Sequence, residues 1–269
     1  MIRAAALVLL AAAAAGCGSD LGPASTAPAA PVRILLVQAS PGLAQGVRDA
    51  IALIDARTVS AVSQADLVVT AQQSAAAAAA RENPGTHVLL VGPQPNGTVA
   101  ANVRVVEFDR GQLAYLAGAL AGRRSRAVAV AEPGPVLAAA FAAGAHAADT
   151  RVRATSVACG ATTAAAVVYV PDPGCRPHAP SAQVIAPARL AGAEMLALLR
   201  TRPGVVVAAA ARSVQDGAFD PGIALEGLRE DAVGFTWISP AVAQDTITRL
   251  QSIEDTARAG TADIPSVAP

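Results

Sequence analysis

Val32-Arg33-Ile34-Leu35-Leu36-Val37 is a continuous run of β-branched and leucine residues, and behind it Leu43, Val47, Ile51 and Ile54 recur at helical spacing. A short apolar run bounded by turn residues reads as a strand buried on both faces, and the i, i+4, i+8, i+11 pattern reads as one face of an amphipathic helix. Gln38-Ala39-Ser40-Pro41-Gly42 separates them as a turn, with a proline suited to a helix's first position. Strand, short turn and helix form one βα unit, and a βα unit implies a parallel neighbour strand.

The unit repeats outward. Thr58 to Val62, Leu67 to Thr70, Val88 to Val91 and Val103 to Phe108 read as strands, with a helix from about Gln72 to Glu82 between them. Asp109 stands three residues before Gln112, a capping-box arrangement, and Leu113, Leu116 and Leu120 mark the buried stripe of a helix ending at Gly122. Strands follow at Ala127 to Ala131, Val152 to Val157 and Val167 to Val170, with a helix over Pro135 to Ala148. Arg189 to Arg200 is expected to be a helix. A last helix is expected with Ser239 as N-cap, Pro240 in its first turn, Arg258 in its last turn and Gly260 just past it. The expected fold class is α/β, with mostly parallel sheets flanked by helices. A ladder this long suits two lobes better than one core.

Composition narrows function. The 269 residues are 53% hydrophobic with a mean hydropathy of +0.44, so the chain must bury a core. All 20 basic residues are arginine, which removes chemistry that needs a lysine amine: P-loop phosphate binding, pyridoxal Schiff bases and Ser-Lys dyads. Formal charge is +0 and no helix carries a basic stripe, so nucleic acid is not an expected partner.

The first seventeen residues read as an export signal, with Arg3 as the positive region and Ala4 to Ala15 as an apolar stretch. That stretch is shorter than the ~20 residues needed to span a bilayer. It ends in Ala14-Ala15-Gly16-Cys17, which resembles a bacterial lipobox and marks Cys17 for lipidation. An ordinary secretory signal with an incidental cysteine is the alternative. Residues 18–31 are rich in Gly, Pro, Ser, Thr and Ala and read as a tether. The expected location is the extracytoplasmic face of the cell membrane, held by a lipid anchor. Outside the cytoplasm Cys159 and Cys175 are expected to pair. The other reading, a zinc site with His178, lacks a fourth ligand nearby.

Ligands of parallel α/β sheets lie beyond the carboxyl ends of the strands. Loops there carry amides, hydroxyls and charges suited to a small polar solute: Ser40, Gln45, Gln72 and Asn96 from one side, Glu132 and Asp172 from the other, and Arg189 as a charged helper. No nucleophile elbow, dinucleotide fingerprint or zincin helix occurs, so no catalytic residue, metal or cofactor is expected and the chain is not read as an enzyme. Asp216-Gly217 and Asp220-Pro221-Gly222 read as turns.

At Phe108-Asp109-Arg110-Gly111-Gln112-Leu113-Ala114-Tyr115-Leu116-Ala117-Gly118 the chain resembles the basic membrane protein family, lipoprotein solute-binding proteins of nucleoside ABC importers. Phe141-Ala142-Ala143-Gly144 is similar to that family's Gly-Phe-x-x-Gly, with Ala140 in place of the first glycine; Asp216-Gly217-Ala218-Phe219 and Gly260 to Pro265 match further segments. The resemblance implies a type I periplasmic-binding-protein fold closing on ligand like a hinge. It places lobe one at 32–107 with 187–232 and lobe two at 108–186 with 233–269. It also implies an ABC permease as partner and a nucleoside-like solute. The family's aromatic after the first strand is missing, since Leu43 and Gln45 stand there, and of its ribose-binding stretch only Asp172 remains. A binding-protein fold that has lost transport and serves as a surface sensor or interaction protein is the alternative reading.

Overall fold

A computed structural model describes residues 30–95, 97–131, 134–175 and 177–265. Cys17, Asn96 and Glu132 lie outside the described residues. From Pro31 onward the chain forms one compact unit.

Strand β1 (Val32–Val37) follows from its β-branched run, and helix α1 (Pro41–Leu53) starts where Ser40 Oγ accepts the Leu43 amide at 3.3 Å, with proline in the first turn. There follow β2 (Ala56–Thr58), a single 3₁₀ turn at Val62–Gln64, β3 (Leu67–Thr70), α2 (Gln73–Glu82), β4 (His87–Val91) and β5 (Val103–Phe108). The strand expected over Thr58 to Val62 thus begins earlier and stops at Thr58, and Val62 instead opens the 3₁₀ turn. The chain then makes α3 (Arg110–Arg124), β6 (Ala127–Ala131), α4 (Pro135–Ala148), β7 (Arg153–Val157), β8 (Val167–Tyr169), β9 (Gln183–Ala186) and β10 (Glu194–Thr201). It ends with α5 (Pro203–Gln215), β11 (Gly222–Glu226), β12 (Val233–Ile238) and α6 (Gln244–Arg258).

Two six-stranded sheets result. The first has the order β11-β5-β4-β3-β1-β2, parallel throughout; the second has β12-β10-β9-β8-β6-β7, parallel except for β12 against β10. Each sheet reverses its winding once, between β1 and β3 in the first and between β6 and β8 in the second. Both faces of each are packed. Leu43, Val47, Val206, Val207 and Ala210 cover one face of the first sheet, and Ala76, Ala79 and Ala80 cover the other. In the second, α3, α4 and α6 supply Leu116, Leu120, Phe141 and Leu250 to one side, while Cys175, Ala182 and Leu190 lie on the other.

Arg189 to Arg200 is not a helix. Its second half is β10, which pairs with β9 and β12 inside the second sheet. Leu196, Ala197, Leu198 and Leu199 are all buried, the continuous run of a strand covered on both faces. The chain therefore returns to the first sheet at Arg202 rather than near 187. The last helix starts at Gln244, not beside Pro240: the Ser239 hydroxyl accepts the Ala241 amide at 3.3 Å and closes a separate turn.

Three segments cross between the sheets: Asp109, Arg202 and residues 227–232. They lie side by side. Asp109 N donates to Glu226 O at 2.9 Å and Arg202 N donates to Ala232 O at 2.7 Å, so the third crossing runs between the first two. Arg202 Nη1 also meets Asp231 Oδ1 at 2.5 Å, and its Nη2 donates to Phe235 O at 3.0 Å.

Candidate functional site

A cleft of about 1250 Å³ opens between the two halves, and both sheets line it. From the first half come Gly42, Gln45, Asp49 and Leu53 of α1 with Pro203, Gly204 and Val205 of α5. The second half contributes Gly134, Leu137, Tyr169, Pro171 and Asp172, and the crossings supply Arg110 and Arg202. These positions follow from topology: residues after β1, β6 and β8 sit at the carboxyl edges beside the two winding reversals, where crevices form in such sheets.

Four helices begin at this cleft, since Gly42, Arg110, Gly134 and Pro203 are all lining residues. Ser40 caps α1, and Asp109 Oδ1 caps α3 by accepting the Gln112 amide at 3.0 Å. The other half of the expected capping box is diverted. Gln112 Oε1 accepts the Leu228 amide at 2.6 Å and so ties α3 to the third crossing. Helices α4 and α5 have Gly134 and Arg202 at their N-caps with no side-chain cap and no acidic residue in the first turn.

Of the residues expected to bind, Gln45 and Asp172 line the cleft. Gln45 is exposed and donates to Asp49 Oδ1 at 2.7 Å; Asp172 Oδ1 accepts the Gly174 amide at 2.8 Å. Ser40 spends its hydroxyl on the α1 cap and Gln72 is the exposed N-cap of α2; neither is among the lining residues. Arg189 lies with its guanidinium 4.7 Å above the Trp237 ring, also outside the lining, although Pro187 and Ala188 just before it belong to the cleft. Other loop amides are used internally: Gln73 Nε2 donates to the Pro93 and Gln94 carbonyls at 3.3 Å each, and the Gln94 amide donates to Glu107 Oε1.

The structure adds residues that sequence reading missed. Tyr169, at the end of β8, is only 5% exposed yet lines the cleft, so this half supplies an aromatic that the loop after β1 lacks. Its ring stacks on Phe141 with centroids 6.1 Å apart. Burial pushes the Tyr169 hydroxyl well above the usual tyrosine range, and the nearby positive charge of Arg110 draws it partly back. Arg110 is exposed and has neither hydrogen bond nor ion pair among the described residues. Arg200 also lines the cleft, its Nε donating to Pro187 O at 2.6 Å. The signal for Tyr169 was its place two residues before Pro171 at a strand's carboxyl end; for Arg110 it was its place at a crossing.

Cys159 and Cys175 form a disulfide with Cα atoms 4.9 Å apart, which ties down the loop after β8 that carries Asp172. His178 pairs in a short parallel bridge with Thr162. Among the described residues no cluster of three or more metal-ligating side chains occurs, and no helix is long and apolar enough to cross a membrane.

Two similarly wound sheets, three adjacent crossings and a cleft between them define the type I periplasmic-binding-protein fold. Solved structures agree. An ABC transporter solute-binding protein from Conexibacter woesei is 18% identical, covering 88% of this chain and 99% of its own, with a TM-score of 0.61. A transcriptional activator of the comK gene from Bacillus halodurans is 15% identical, covering 87% and 99%, with a TM-score of 0.66. An ABC transporter solute-binding protein from Aeropyrum pernix is 15% identical, covering 86% and 92%, with a TM-score of 0.51. No protein-family profile matches the chain, and no curated protein matches it.

Proposed function

We propose that this chain is a solute-binding lipoprotein, anchored through Cys17 on the extracytoplasmic face of the membrane, that captures a small polar solute between its lobes and presents it to an ABC permease. The observation that carries the reading is the cleft at the carboxyl edges of both sheets, spanned by three adjacent crossings that can act as a hinge. Its volume exceeds the ~300–1,000 Å³ of ordinary small-molecule pockets, as suits an open form that narrows around its ligand. The leader, the tether and the two solute-binding neighbours support the location and the partner. Nucleosides remain the solute class favoured by the family resemblance, and Tyr169 offers a ring for a base. The role is binding, with no chemical step assigned.

The test is a thermal-shift screen of the mature protein with nucleosides, amino acids, sugars and their phosphates. A solute at a hundred times its dissociation constant adds about 2.7 kcal/mol, so a true ligand raises Tm by several degrees. No stabilisation by any of them at millimolar concentration defeats the reading. A second reading, a surface sensor that binds without transport, is favoured by the likeness to a regulator. Ligand binding with no permease complex in detergent-solubilised membranes selects it.

A further inference from the structure

We propose that the solute this cleft takes carries an oxyanion group, a carboxylate or phosphate, held by the Arg110 guanidinium and the Tyr169 hydroxyl at the uncapped starts of α4 and α5. This rests on the solute-binding reading above and narrows it beyond the neutral nucleosides that the resemblance implies.

The argument is an inventory of charge in the cleft. Among the described residues, three arginines and two aspartates line it. Arg202 is committed to Asp231 and Phe235 O, and Arg200 donates its Nε to Pro187 O. Asp49 receives Gln45, and Asp172 receives the Gly174 amide. Only Arg110 is left without a partner among the described residues. Beside it the Tyr169 side chain is 95% removed from solvent by the folded chain, being 5% exposed, and its hydroxyl makes no hydrogen bond among the described residues. That hydroxyl is not itself a buried orphan; it stands at the cleft wall, and closure around a solute would bury it, which costs free energy unless it is paired. An incoming acceptor oxygen supplies that partner. From opposite halves, α4 and α5 begin at the cleft with no side-chain cap, and the partial positive charge of a helix start favours an anion; proline opens both helices and the Val205 amide of α5 is spent on Arg202 O, so α4 has the freer amides. A carboxylate or phosphate oxygen satisfies all of these groups at once; a neutral hydroxyl leaves Arg110 without a countercharge.

The experiment uses matched probes on the full mature chain: adenosine against adenosine 5′-monophosphate for a phosphate, and N-acetylphenylalaninamide against N-acetylphenylalanine for a carboxylate, read by thermal shift and calorimetry. The expected result is that one anionic member binds and its neutral twin binds roughly ten- to hundredfold more weakly, the range for losing a charge-assisted hydrogen bond. Arg110→Gln abolishes that difference and Tyr169→Phe reduces it. Arg110 is exposed, so its variant keeps the ligand-free Tm and a lost preference is not a folding defect. Equal binding within both pairs, a preference untouched in R110Q, or stabilisation by neutral solutes of the wider screen alone overturns this inference and leaves the solute-binding reading standing. Stabilisation by nothing in either set overturns both.

Discussion

Arg33 and Asp66 form the most closely satisfied ion pair in the first half. Arg33 Nη2 meets Asp66 Oδ1 at 2.6 Å, while its backbone amide and Nε both donate to Oδ2, at 2.8 and 3.0 Å. These bonds, from the side chain first, hold the Asp66 carboxyl below its ordinary value of 3.8. A carboxyl depressed in the folded state binds its proton first in the unfolded chain. Its stabilisation is therefore complete above the ordinary value and is lost as pH falls from there towards the folded one. Asp66→Asn should lower stability at neutral pH and flatten the acid limb below about pH 4; urea unfolding at pH 7 and pH 3 checks both. An unchanged acid limb would remove Asp66 as the cause. Asp109 was readable as a cap because Ser, Asp and Asn accept amides two or three residues on, and it does so here. Gln112 was readable only by half, since its acceptor role depends on Leu228, 116 positions away. Arg189 looked like a cleft cation for want of any sequence sign that Trp237 would come beneath it.

Among the elements, α3 and α4 approach most closely, and two glycines permit it. A methyl group on Gly118 would overlap the Phe141 carbonyl oxygen and lie 2.9 Å from Ala145 N; one on Gly144 would overlap the Tyr115 carbonyl. Tyr-Leu-Ala-Gly and Phe-x-x-Gly, the segments that carry the family resemblance, therefore work here as helix-packing residues. Gly118→Ala should cost about 1–3 kcal/mol, the usual range for overpacking, and circular dichroism melts should show it; an unchanged Tm would mean the helices can part freely. The disulfide acts on a loop instead. Replacing Cys159 and Cys175 by serine should cost about 3 kcal/mol by the chain-entropy estimate for a loop of about 15 residues, measurable by urea unfolding with and without reductant. The β1, β3 and β5 strands were legible because each is a short β-branched run between turn residues. β10 was not, because Leu190, Glu194, Met195, Leu198 and Arg200 satisfy helical propensity and spacing, while burial on both faces overrides them.

At the scale of the whole molecule, two halves of like winding were visible from the repeated βα pattern, and the chain first crosses between the sheets at Asp109. The second crossing was displaced by the misread β10. A chain ended at Thr201 would lack α5 and β11, so the first sheet would lose Val206, Val207, Ala210 and Ala211 from one face and its edge strand beside β5. Such a truncation should aggregate instead of giving a folded first half, and size-exclusion chromatography checks it. A soluble, cooperatively melting fragment would show that half to be self-sufficient.

That discontinuity bears on how the polypeptide is made. As the chain is synthesised, residues 32–108 are complete while α5, the segment that shields their apolar side, is still about a hundred codons from translation. The second sheet also waits for its antiparallel edge, β12, which arrives last of all the strands. Nascent chains should thus stay open to holding chaperones until the final sixty or so residues emerge. A polypeptide kept unfolded that long is in the state an export channel requires.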